Sequence, residues 1–146
     1  MKIEIDIDAK YQDTEVVIRA PKLTRDIEKI VALMRMINMQ IPVKYRDEIY
    51  LLDIEDILYI ETVDRKTFVY TADKIYESDL KLYEIELELS ERDFLRISKH
   101  GIVNLRKVKS LRAEINRKIR VTLQNGEQIV VSRMYSDELR RKLGLK

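Results

Sequence analysis

The chain of 146 residues has no cysteine, which excludes disulfides, thiolate metal sites and thiol nucleophiles. Glycine is scarce: Gly101, Gly126 and Gly144 are far apart in the chain. A loop that cradles phosphate needs glycines close together, so that backbone N–H groups can approach the ligand; P-loop and dinucleotide fingerprints are therefore excluded. Histidine occurs once, as His100, flanked by Lys99 and Gly101. With no second histidine, a metal site would have to be mostly carboxylate. The acidic groups Asp6/Asp8 and Asp53/Glu55/Asp56 lack the spacing and central glycine of a calcium loop. Ser90, Ser98, Ser110 and Ser132 have no partner base that the sequence nominates. No apolar run is long enough to span a bilayer. Met1-Lys2-Ile3-Glu4-Ile5-Asp6 alternates, whereas a signal peptide needs a continuous apolar stretch. The expectation is a cytoplasmic protein that is not an enzyme and holds no metal or cofactor.

Apolar residues make up 45% of the chain and charged residues 37%, interleaved as in a folded domain. The net charge of +2 hides an asymmetry. Residues 1–90 carry 13 Lys/Arg against 20 Asp/Glu, and residues 91–146 carry 15 against 6. A strongly basic C-terminal third on an acidic chain points to a polyanionic partner.

Lys2–Asp8 alternates apolar and polar residues at period two, as a half-buried strand does, and Val16-Val17-Ile18 is a second β-prone run. Thr24 is placed to cap a helix from about Arg25 to Met39, with Ile27, Ile30, Val31, Met34, Ile37 and Ile41 on one face. Pro42 is expected to close it. Short strands follow at Glu48–Leu52, Ile57–Glu61, Lys66–Thr71 and Lys74–Glu77. Ser78 is expected to cap a short helix packing Leu80, Tyr83, Ile85 and Leu87. Strands recur at Phe94–Ile97, Ile102-Val103, Val108–Leu111 and Ile119–Leu123. Asn125-Gly126 then supplies a hairpin turn into Gln128–Val131. A terminal helix capped by Ser132 runs through Met134, Leu139 and Leu143 to Gly144. The expected fold is mostly β with minor α. Small antiparallel sheets occupy residues 45–146, and a strand–strand–helix extension occupies residues 1–44.

One stretch carries more. Phe94-Leu95-Arg96-Ile97-Ser98-Lys99-His100-Gly101-Ile102-Val103-Asn104 is followed by the Asn125-Gly126 turn and by Val130-Val131-Ser132-Arg133-Met134-Tyr135. With Asp56–Glu61 upstream, this combination resembles the LytTR family of bacterial DNA-binding domains, over residues 45–146. The resemblance implies short antiparallel strands, and loops that enter the major groove of double-stranded DNA at repeated promoter sites, with proteins bound as homodimers. By position it marks Arg65, Lys66 and Thr67 in one loop, Ser98, Lys99 and His100 in a second, and Arg133 in a third. Lys99 and Arg133 are expected to read bases, while Arg96, Arg106 and Lys107 hold phosphates. Some members carry histidine where this chain has Lys66-Thr67. Asn104 is expected to be structural, satisfying backbone groups at a strand end.

The resemblance also implies transcription regulation without a receiver domain, and a small membrane-protein inhibitor as a possible partner. Residues 1–44 would then serve dimerisation or inhibitor docking, with Met34, Met36 and Met39 as adaptable contacts. Two competing functions stand beside it. One is a protein–protein adaptor whose basic face meets an acidic partner. The other is an RNA-binding β domain using Tyr59, Phe68, Tyr70 and Tyr76 as a stacking platform.

Overall fold

The computed structural model describes residues 1–37 and 39–145, except the side chains of residues 35–37. It comprises two compact units, Met1–Ile37 and Asn38–Lys146.

In the first unit, α1 spans Arg25–Ile37. Thr24 caps it: the Thr24 hydroxyl accepts from Ile27 N–H at 3.4 Å, and Asp26 and Glu28 suit the positive end of the helix. The expected strands at Lys2–Asp8 and Val16–Ile18 do not form. A strand needs a paired neighbour, and neither stretch has one among the described residues. Ile3, Ile5, Ile7, Val16, Val17 and Ile18 are all exposed. The expected Met36 and Ile37 contacts lie outside the described side chains.

The second unit begins seven residues before the expected boundary. Its elements are β1 (Gln40–Tyr45), β2 (Glu48–Asp53), β3 (Ile57–Val63), β4 (Lys66–Thr71), β5 (Ile75–Ser78), α2 (Leu82–Leu89), β6 (Phe94–Ser98), β7 (Gly101–Asn104), β8 (Val108–Ala113), β9 (Ile119–Leu123), β10 (Gln128–Val131) and α3 (Arg133–Lys142). Ile41 and Pro42 are therefore strand residues rather than the end of a helix. Pro42 lies opposite Leu51, outside the single β1–β5 pair at Lys44 and Glu77, at the margin where a missing N–H is tolerated. Ile41 and Val43 are buried at period two. Met39 packs against the same core instead of offering a free surface.

All pairings are antiparallel. A seven-stranded sheet has the order β2-β1-β5-β4-β3-β7-β6, and a three-stranded sheet the order β10-β9-β8. The hairpins β1–β2 and β3–β4 turn over two residues each, Arg46-Asp47 and Asp64-Arg65, all with positive φ. That geometry matches strand twist but normally recruits Asn-Gly, so neither turn announces itself in the sequence.

One face of the large sheet presents Ile41, Val43, Ile60, Val69 and Ile102 to α2, which buries Leu82, Ile85 and Leu89. Of the expected packing residues, Ile85 is buried and Leu80 packs against the core, while Tyr83 and Leu87 are exposed. The Lys81 N–H donates to Glu84 at its start, while Ser78 caps only the preceding turn. The other face presents Tyr59, Leu95 and Val103 to the small sheet, where Ile119, Val121, Leu123 and Val131 complete a second core with Leu139 of α3. Ile49, Leu51 and Ile75, beyond the small sheet, remain exposed on that face. Asn104 is 1% exposed at the end of β7; its amide donates to Ile57 C=O at 2.9 Å and its oxygen accepts from Arg106 N–H.

Ile85→Ala should lower stability by roughly 2–5 kcal/mol through lost burial and the cavity left behind. Asn104→Ala should cost about 1–3 kcal/mol by orphaning the Ile57 carbonyl. Urea unfolding would show both as lower midpoints with unchanged slope.

Candidate nucleic-acid interface

The register of the large sheet gathers three loops at one end. Glu61 pairs with Gly101, so the Asp64-Arg65 turn and the Lys99-His100 turn project past the same edge. The Thr62 N–H donates to the His100 carbonyl at 2.8 Å and locks the two together. The Ser132 N–H donates to the Ile97 carbonyl at 2.9 Å, which seats the start of α3 beside the end of β6. Arg65, Lys66, Lys99, His100 and Arg133 are all exposed there, and none has an ion-pair partner among the described residues. The result is an edge where unpaired basic groups outnumber the carboxylate of Asp64 in the first turn, and such an edge attracts a polyanion.

Arg96 does not join that edge as a free cation. Its side chain is 19% exposed on the α2 face of the sheet. Its guanidinium donates to the Ser98 carbonyl at 2.8 Å, to the Lys99 carbonyl at 2.7 Å and to Glu86 at 3.3 Å. Arg96 therefore shapes the turn that carries Lys99. The Ser98 hydroxyl does similar work, accepting from His100 N–H at 3.1 Å. Thr67 is 5% exposed, so its side chain is withdrawn from the surface.

Arg106 and Lys107 sit at the far end of β7 from these loops. Arg106 is paired with Asp93 at 2.8 Å, and Lys107 lines an open cleft with Asp56, Asp73, Gln124 and Asn125. Arg117 and Lys118, by contrast, come close to Arg133. Ile119 pairs with Val131, so the loop before β9 and the residues after β10 emerge side by side. The Asn125-Gly126 signal marks the hairpin but not this register: a two-residue turn would set Arg120 opposite Val131, whereas Leu123 and Glu127 close a three-residue loop with Gly126 at positive φ.

Polar groups also brace β3 against β4 within the large sheet. Tyr59 and Tyr70 stack with centroids 4.2 Å apart, and the Tyr70 hydroxyl donates to Glu61 at 2.5 Å. Burial, with Glu127 beside the Tyr59 hydroxyl, raises the Tyr59 phenol; burial and Glu61 push Tyr70 up to about 12. Tyr59 is 9% exposed, so these rings stack on each other and not on a base. The Glu114 carboxyl is held below its usual range by Arg120 and Arg112.

The class that this geometry defines is a β domain presenting basic loops instead of a recognition helix. A model of the LytTr DNA-binding domain matches residues 47–144, and the chain belongs to the LytTR family. Two Staphylococcus aureus proteins, from strains MSSA476 and MW2, are each 29% identical over 147 residues, covering 99% of both chains. Both bear the name uncharacterized HTH-type transcriptional regulator. A solved LytTr DNA-binding domain from Bacillus cereus superposes with a TM-score of 0.69 at 25% identity, spanning 73% of this chain and 97% of that one. No two α-helices follow one another among the described elements, so a helix-turn-helix has no counterpart in them.

Arg96→Lys keeps the charge but cannot span both turn carbonyls with a planar fork. Amide exchange at residues 98–101 should quicken, with global stability changed far less. The tyrosine pair sets an alkaline limit. Unfolded tyrosine ionises near pH 10, and folded Tyr70 near about 12. The pair's contribution to stability is therefore complete below pH 10 and is lost as pH rises through about 12. Tyr70→Phe should flatten that loss in alkaline unfolding curves.

Proposed function

We propose that the protein is a sequence-specific transcription regulator that reads the major groove of double-stranded DNA at repeated sites, bound as a homodimer. Membership of a family of DNA-binding domains supports contact with DNA, and the names of the relatives support regulation of transcription. The observation that carries the finer reading is the Ser132–Ile97 hydrogen bond, because it brings Arg133 beside Lys99 on one exposed edge. Lys99 and Arg133 contact base edges, where Arg and Lys recognise guanine O6 and N7. Arg65, Lys66 and His100 flank them and hold phosphates. Arg96 and Ser98 position the Lys99 turn, and Thr67 packs beneath the first loop.

Selection of bound sequences from random duplex DNA tests this reading. Wild type should enrich a repeated motif. Arg133→Ala and Lys99→Ala should each lose about 1–3 kcal/mol of affinity and relax the motif at separate positions. Lys66→Ala should weaken all sequences alike and lower the salt slope by about one. Salt-sensitive binding without a motif would reject base reading and favour a basic adaptor surface.

A further inference from the structure

Residues 14–20 read Thr-Glu-Val-Val-Ile-Arg-Ala, and this short segment complements itself. Laid antiparallel on a second copy about Val17, it sets Glu15 opposite Arg19 twice and Val16 opposite Ile18 twice. The geometry points to a homodimer contact: we propose that residues 14–20 of two chains pair as antiparallel strands across a two-fold axis at Val17.

Several observations favour a second copy as the occupant. Val16 and Val17 are 62% and 61% exposed, and Glu15 and Arg19 have no ion-pair partner among the described residues. β-branched residues in an exposed stretch without a strand partner among the described residues are a template for another strand. The alternatives within the unit fit less well. Self-pairing of Lys2–Asp8 about Ile5 sets Glu4 against Asp6 twice, and these like-charge pairs offset its two Lys2–Asp8 attractions. Parallel pairing of residues 15–19 sets Glu15 beside Glu15. Among these pairings, the antiparallel register about Val17 alone gives two attractive pairs with no like-charge pair, and it gives them with the isologous symmetry of a dimer.

Size adds a further argument. A unit of 37 residues without cysteine lies below the length at which a chain normally closes a core by itself, and a second copy offers it apolar surface to bury against. Two strands alone are marginal in water. Leu33 and Met34 of α1, 62% and 40% exposed, supply apolar surface for a second layer. The proposal gives a physical basis to the homodimer in the proposed function, but it stands or falls without DNA.

Charge exchange in the full chain tests it by sedimentation equilibrium at low salt, without DNA. Wild type should be a dimer. Arg19→Glu and Glu15→Arg each convert both attractive pairs into repulsive ones, and each should weaken self-association by about tenfold or more. Mixed in equal amounts, the two variants should recover a dimer, because the glutamate introduced at position 19 faces the arginine introduced at position 15 while native Glu15 faces native Arg19. That recovery cannot come from misfolded chains. A monomeric wild type, single variants as dimeric as wild type, or a mixture no tighter than its components would each overturn the pairing. Loss of motif selection with the dimer intact would instead count against the DNA reading alone.

Discussion

The hydrogen bond from Ser132 N–H to the Ile97 carbonyl joins the last strand of the small sheet to an edge strand of the large one. Everything at the basic edge depends on the two sheets keeping this register. Their shared core of Leu95, Val103, Val121, Val131 and Leu139 holds the faces together, but apolar packing is non-directional and would tolerate a slide. The backbone bond supplies direction. A slip by one residue would exchange the inward and outward side chains of a strand, and Arg133 would leave Lys99.

Charge and packing divide the chain differently from what composition suggests. The basic third is not one surface. Arg96, Arg106 and Arg120 are each engaged with a carboxylate, to Glu86, Asp93 and Glu114. Lys99 and Arg133, without such partners among the described residues, lie at the loop end with Arg65 and Lys66, while Lys107 lies at the far end of β7. Net charge therefore pointed to a polyanion, while internal pairing selected which cations are available to meet one.

Much of the β domain was legible in the sequence, because period-two alternation and the Asn125-Gly126 turn are local signals. The places where reading failed have physical causes. Ile41 continues the helical spacing of α1 by coincidence, and Pro42 resembles a helix stop although the margin of the sheet tolerates it. On α2 the sheet beneath selects Leu82, Ile85 and Leu89; the sequence pattern found Ile85 but not the other two, because Tyr83 and Leu87 offered an equally apolar local choice. The loops around Lys99 and Arg133 were legible through motif resemblance. The role of Arg96 was not, because its partners are two backbone carbonyls and a residue on another element. Lys2–Asp8 shows the converse: a strong strand pattern without a strand, since alternation states a preference and pairing needs a neighbour.

The fork of Arg96 across the Ser98 and Lys99 carbonyls has a thermodynamic consequence. A turn fixed before any ligand arrives has already surrendered its conformational entropy during folding. Association through such a turn brings little coupled ordering, so its heat-capacity change reflects surface dehydration and not segment folding. Rigid loops also leave encounter rates nearly uniform among sequences, so discrimination between them resides in how long each complex lasts.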